Sequence, residues 1–514
     1  MRRFRVAYVF GFAAYPVLFL FGHNVDRAFL SDLLVPMLAV LAATAVVLAI
    51  ATKVFGGADR AGPVVAVAAL LFLSYGQVYT RLDGVSLLGV SVGHDRFLLP
   101  LWAVLFGAVA LFAIRSRKLV TELSPVLNVV AIVLVSLPLA MTARFAVTSS
   151  EGPPVEQEAV AALREVDVGR PDIYYLIFDR YASERTLDQY YDFDNGPMVR
   201  FLRERGFRVI DESYANYPKT PHSLAASLNM RYLDDLPVDS HDWKQVQALL
   251  RGSTVARTLQ ELGYTHVFVG SGYRPLCTDP TADVRYSYRS CNEFARLVYT
   301  STALYPFARH LGIETLDTRR QEWHRTRFEF EKVLEVREMD EPTFTFAHFN
   351  LPHDPWIFDA DGSYIDEQQA GAKTWDEGYL DQLRYANVRI MDVVDELLAG
   401  PESERPIVIL QSDEGPGPID WNPNTPEHYD WTRAPQRALD EKFRILNAYY
   451  FPGVDYTGLY EGITPVNSFR VILNAYFDGR LDLLPDESHI FPNELEPYRF
   501  IDVTDRVRDD EVGR

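Results

Sequence analysis

The chain is 514 residues long and has only two cysteines, Cys277 and Cys291. Two thiols cannot build a zinc site made of thiolates. Basic residues are not in excess either: 50 Lys and Arg face 70 Asp and Glu, a net charge of −20. So acidic a chain lacks the positive footprint that nucleic-acid binding needs. No internal repeat and no long low-complexity tract is present.

What is present is unevenly spread. Residues 1–150 hold 12 Lys/Arg and 6 Asp/Glu, about +6; the remainder holds 38 and 64, about −26. The first part is heavily apolar, and the second has ordinary soluble composition. This predicts a membrane region joined to an acidic globular region. Five spans are expected, at roughly 5–22, 30–51, 62–80, 97–114 and 125–146. Ser74, Tyr75, Gly76 and Gln77 make the third the weakest. The first lacks a small-x-small cleavage site and is read as retained, not as a signal peptide. Arg2, Arg3, Arg5, Lys53, Arg60, Arg115, Arg117 and Lys118 fall in alternate loops and mark the cytoplasmic side. An odd number of spans then puts everything after about residue 147 outside the cytoplasm. The expected localisation is the cell membrane, multi-pass, with a cytoplasmic N-terminus. In an oxidising compartment Cys277 and Cys291 are expected to close a disulfide worth about 3 kcal/mol.

The expected domains are a transmembrane region (1–147), a linker (148–170), an extracytoplasmic catalytic domain (171–500) and an acidic tail (501–514). Within the outer part, apolar runs at 172–178, 207–210, 265–270, 343–350, 406–412 and 445–451 read as strands. Helical patterns lie at 195–205, 221–229, 253–262, 321–338 and 376–398. Strands alternating with helices predict an α/β fold with a largely parallel sheet covered on both faces. Residues 273–300 and 415–440 read as long loop insertions.

Several of these strands end in chemistry-bearing residues. The run Pro406–Leu410 leads into Ser412-Asp413-Glu414-Gly415, and Asp172–Phe178 ends in Asp179. Acids at the carboxyl ends of buried strands sit where open α/β sheets place ligands. Adjacent carboxylates repel unless a cation or proton stands between them, so a metal site is expected. Between the two strands, Thr220-Pro221 has the form of an N-cap with proline at the first helical position. There Thr220 is a candidate nucleophile for an incoming anion, with Ser223 as its rival and Lys219 as an anion contact. His353 follows a third strand in a Pro-His-Asp-Pro loop and is a candidate substrate or acid–base residue. His348, inside that strand, is read as structural. His428 and Arg444 are weaker substrate candidates.

Taken in order, Asp179, Thr220, the Pro-His353-x-Pro loop and Ser412-Asp413 resemble the alkaline phosphatase superfamily, in particular its sulfatase-like branch. The anchored architecture is similar to lipoteichoic acid synthases and membrane phosphoethanolamine transferases. The resemblance covers most of 171–490. It implies a divalent metal (Mn, Mg, Ca or Zn) held by Asp179, Thr220, Asp413 and Glu414. It also implies His353 near the transferred group, and lipid or glycan partners at the bilayer. Relatives usually carry Asp-His where this chain has Asp413-Glu414, which hardens the expected site toward Mn, Mg or Ca. The sulfatase signature, Cys or Ser followed by x-Pro-x-Arg, is absent. The expected activity is transfer of a phospho-head group from a lipid through phospho-Thr220. The alternatives are a sulfatase-like hydrolase and a catalytically inactive envelope-binding domain.

Overall fold

A computed structural model describes residues 6–82, 86–87, 90–91, 95–148, 170–289, 292–418, 425 and 427–509. The chain divides into two units: 1–149 with 292–318, and 150–291 with 319–514.

The first unit is built on five helices: α1 (Tyr8–His23), α2 (Leu30–Phe55), α3 (Ala58–Leu82), α4 (Asp95–Arg115) and α5 (Arg117–Thr148). The last four are long and apolar enough to cross a membrane, whereas α1 is a shorter apolar helix of 16 residues. α1 is also the most enclosed, with Val9, Ala13, Val17 and Phe21 almost fully buried. Its glycine faces allow close approach, because a Cβ on Gly11 would lie 2.8 Å from that of Ala131. The expected boundaries hold to within a few residues, except that α5 begins earlier than the predicted span.

The expected division of the chain differs from this one at two places. Residues 292–318, assigned to a loop and the catalytic domain, belong with the membrane unit. Residues 501–508, expected as tail, are folded. Ile501–Asp502 pairs with His489–Ile490, and Val503 and Val507 are buried in the globular core. The linker from 149 to 169 and Cys291 lie outside the described residues. Cys277 carries no free thiol.

The second unit centres on a seven-stranded sheet: β1 (Ile173–Phe178), β2 (Arg208–Val209), β3 (Thr265–Gly270), β4 (Val284–Ser287), β5 (Thr343–Phe349), β6 (Ile407–Gln411) and β7 (Asn447–Tyr450). The order is β2-β7-β6-β1-β5-β3-β4. The five strands from β6 to β4 are parallel, and β7 and β2 add antiparallel pairings at one edge. β4 falls inside the stretch read as a loop. Its half-exposed Val-Arg-Tyr-Ser has no apolar run, because an edge strand packs on one side only.

β1 and β6 are buried throughout, as their unbroken apolar runs require. Their side chains alternate between two cores. Tyr175, Ile177, Phe344, Phe346, Ile407 and Ile409 face one layer, which includes Leu224 and Ala225 of the Thr220–Asn229 helix. Tyr174, Leu176, Phe178, Ala347, Phe349, Val408 and Leu410 face the other. This period-two alternation decides which strand-end residues meet.

Candidate active site

β6, β1 and β5 are neighbours at the centre of the sheet, and in register Ile177 stands opposite both His348 and Gln411. Asp179 follows β1, Asp413 follows β6 by two residues, and His348 is the penultimate residue of β5. All three continue the alternation that includes Ile177, Phe346 and Ile409, so they project to one face at the carboxyl edge. They form the one group of metal-type side chains found among the described residues, with ligand atoms within 4.8 Å of one another. His348 Nε2 lies 3.7 Å from both Asp179 Oδ2 and Asp413 Oδ2.

His348 was read from the sequence as structural, and the structure places it between the two acids. Its alternation into the sheet is what aims it at the two acids. A signal was present in the phase of Phe344, Phe346 and His348, but only the neighbouring strand order shows which acids share that face.

The group is buried and short of partners. Asp179 Oδ1, both carboxylate oxygens of Asp413 and both ring nitrogens of His348 have no hydrogen-bond partner. Burial, and then the neighbouring charges of Asp413 and Glu414, hold the Asp179 carboxyl well above the usual range. Burial also raises Asp413, but His348 and the Thr220 hydroxyl beside it outweigh this and leave it lowered. Two buried carboxylates and an imidazole with unused lone pairs are a donor set suited to a divalent cation. The imidazole missing after Asp413 is thus supplied from a different strand. The group therefore offers an imidazole nitrogen beside its carboxylate oxygens.

Thr220 is buried beside Asp413. It is not the N-cap. Lys219 takes that place with extended backbone (φ −143, ψ 135), Thr220 is the first helical residue, and Pro221 the second. The Lys219 carbonyl accepts from His222 and Ser223, which leaves the threonine hydroxyl free of capping duty. The rival Ser223 is engaged, since its hydroxyl donates to Tyr217 O at 2.7 Å.

Glu414 lies outside the three-residue group. Its Oε1 is 3.2 Å from Lys442 Nζ and 3.5 Å from Arg180 Nε, while Oε2 has no partner. Lys442 is almost fully buried. Burial pushes its ammonium down to about 8; Glu414 opposes the shift, and Arg180 and Lys219 reinforce it. Gly415 makes this pairing possible. Its N–H donates to Lys442 O at 2.8 Å, and a Cβ there would collide with Glu441 O. Ser412 joins the two loops, accepting from Tyr181 N at 2.9 Å and donating to Glu414 O at 2.7 Å. Arg180 itself sits at φ +67, a left-handed conformation unusual for a side-chain-bearing residue.

His353 is half-buried. Burial first, then the Arg180 guanidinium, pushes its imidazole down to about 3, so it is neutral near pH 7. Arg180 also pairs with Asp354. Lys219 Nζ is 2.9 Å from Glu494, and His428 Nδ1 is 3.8 Å from the same carboxylate. His428 is therefore brought toward the N-terminus of the Thr220 helix. Arg444 is tied to Asp440 at 3.3 Å, a buried structural pair. His222 is likewise structural, with Nε2 against Pro497 O at 2.9 Å.

No family model and no curated protein matches the chain. Solved structures similar to it do exist. One is the integral membrane protein lipooligosaccharide phosphoethanolamine transferase A (EptA) from Neisseria meningitidis. The likeness covers 91% of this chain and 94% of that one, at 11% identity and a TM-score of 0.43. Another is the C-terminal periplasmic domain of EcEptC from Escherichia coli, with 69% and 99% covered, 13% identity and a TM-score of 0.40. A protein in the alkaline phosphatase superfamily from Vibrio parahaemolyticus is similar over 67% of this chain and 78% of its own, at 11% identity and a TM-score of 0.41.

Proposed function

We propose that the chain is a membrane-anchored phosphotransferase of the sulfatase-like branch of the alkaline phosphatase superfamily. In this reading it moves a phospho-head group from a lipid donor to a cell-envelope glycan or lipid, with its globular part outside the cytoplasm. The observation that carries the reading is the buried, partner-poor Asp179–His348–Asp413 group beside an uncapped Thr220 hydroxyl. Those three side chains and the Thr220 oxygen would hold a divalent metal ion, which when bound supplies charge for the phosphoryl oxygens and acidifies the hydroxyl.

The chain's own residues account for the rest. Thr220 Oγ1 forms a bond to phosphorus as the bond to the donor's oxygen breaks, leaving phospho-Thr220 and a lipid alcohol that takes up a proton. Asp413, its carboxyl held below the usual range, lies beside the hydroxyl and would take its hydrogen bond when the oxygen is aimed at phosphorus. Arg180, Lys219 and Lys442 bring positive charge to one side of the site and offset the phosphate. Neutral His353 offers a ring N–H without adding charge. An acceptor hydroxyl then attacks phospho-Thr220, and the threonine oxygen leaves with a proton.

The test is Mn-loaded full-length protein in vesicles carrying a head-group-labelled phospholipid. Label on the Thr220 peptide and then on an added glycan is expected. Thr220→Ser is expected to retain part of the turnover, and Thr220→Ala to lose on the order of 10⁴- to 10⁶-fold. Label released only to water would make the protein a hydrolase instead. Turnover by Thr220→Ala equal to wild type would end the nucleophile assignment.

A further inference from the structure

The segment Asn292–Thr318 leaves the globular fold and joins the membrane unit. It carries two short helices, Glu293–Thr300 and Leu304–His310. Its contacts are built at backbone level. Gly76 N–H of α3 donates to Ser301 O at 2.9 Å, and the Phe72 carbonyl one turn earlier accepts from Ala303 N–H at 2.8 Å. A Cβ at Gly76 would collide with Thr300 O, so one of the residues that weaken the third span in sequence is where this segment is received. Phe294 packs edge-on against Phe21 with centroids 5.5 Å apart, and Asn292 Nδ2 donates to Asp32 O at 3.0 Å. His310 Nε2 lies 3.3 Å from Asp95 Oδ2.

These contacts fall near the C-termini of α1 and α3 and at the starts of α2 and α4. α1, α3 and α5 run in one direction, since Gly62 opposes Tyr8, Gly11 opposes Ala131 and Gly22 opposes Pro138. The segment therefore caps the membrane face from which α5 delivers the chain to the globular fold. Gly76 and Phe72 lie six and ten residues before the end of α3, about 9 and 15 Å along its axis.

The side of this segment turned away from the helices is apolar and open. Leu297, Leu304, Phe307, Leu311, Ile313 and Leu316 are all exposed, Leu311 by 74%. Six such residues within 20 positions equal the number exposed among all the described residues of the second unit, a density that sets this segment apart from the globular fold. Tyr299 and Tyr305 pack against each other here, residues typical of the membrane–water boundary.

We infer that residues 292–318 bed into the lipid leaflet on the side of the membrane where the globular fold lies, and so anchor that fold at a second point besides the linker. Continuity with membrane-spanning helices selects lipid over a partner protein as the occupant. The segment's acids, Glu293, Glu314 and Asp317, offset Arg296 and Arg309, so insertion is apolar and does not need anionic lipid. The inference is independent of the chemistry proposed above.

The test places a nitroxide label at Leu311→Cys and, separately, at Phe307→Cys in the full chain in phosphatidylcholine vesicles. Val238→Cys, on the globular unit and 53% exposed, is the aqueous control. Collision rates with oxygen and with a neutral water-soluble nickel chelate are compared. The expected result is an oxygen-to-nickel ratio several-fold above the control at both sites, unchanged between low and high salt. A ratio equal to that of Val238 would mean a water-facing surface and would overturn the inference. Low collision with both reagents would mean protein covers the face, and would overturn it too.

Discussion

The contacts of Glu414 make it the counter-ion of Lys442 and Arg180, not a member of the Asp179–His348–Asp413 group. In metal-free protein the Lys442 ammonium is already depressed from its ordinary value to about 8. A lysine lowered on folding leaves the unfolded chain binding more protons between these two values, so stability rises with pH across that window. The burial penalty is fully present below about 8 and amounts to about 3 kcal/mol. Glu414 holds the value up, so Glu414→Ala lowers it further. The loss from the lysine is limited by its own deprotonation, which caps it at about 1.4 kcal/mol near pH 7 and about 2.7 kcal/mol near pH 6. Near pH 9 the lysine part vanishes. Relief of Asp179, which Glu414 also pushes up, stabilises the variant where that carboxyl is ionised and fades as pH falls, so it too makes the gap widen toward low pH.

The assay is urea unfolding of the metal-free, detergent-solubilised chain, followed by the fluorescence of Trp243 and Trp431, which are buried in the globular core. The gap between wild type and Glu414→Ala should widen by up to about 1.4 kcal/mol per unit as pH falls below 8. Lys442→Met in the same background should remove the lysine part of that dependence. A gap that does not change with pH would refute the counter-ion role. A loss of Mn affinity in Glu414→Gln as large as in Asp413→Asn would make Glu414 a ligand after all.

Two further outcomes follow from the same geometry. Asp179→Asn is expected to stabilise the metal-free protein above pH 5. A carboxyl raised on folding binds more protons in the native state, so wild-type stability falls as pH rises through its folded value; melting in chelator across pH checks this, and a variant no more stable than wild type at pH 7 would contradict it. Gly415→Ala forces a Cβ into Glu441 O and should cost about 1–3 kcal/mol through displacement of the Lys442 backbone. Unfolding of this variant within experimental error of wild type would show that the close approach is not needed.

Much of the outer fold was legible locally. β1 and β6 announce themselves because strands buried on both faces need near-continuous apolar runs, and the Thr265–Gly270 prediction coincides with the strand. β4 did not, because an edge strand carries no such run. Thr220 was legible as a helix start, although its exchange of places with Lys219 depends on one pair of backbone angles. The place of His348 beside Asp179 and Asp413 was not legible, because a lone histidine in a strand says nothing of its neighbours.

Some properties follow from the sequence by itself, because hydropathy, charge and chain-local pattern are properties of consecutive residues. These include the apolar N-terminal region, the acidic α/β part, the acids at Asp179 and Asp413 and the hydroxyl at Thr220. Tertiary structure decided which of these residues meet. Strand order put β1 between β5 and β6, and side-chain alternation then aimed His348 at both acids. The same packing turned Glu414 toward Lys442 and carried residues 292–318 to the membrane helices. Contacts between residues tens to hundreds of positions apart are set by sheet order and core packing, which no local stretch encodes.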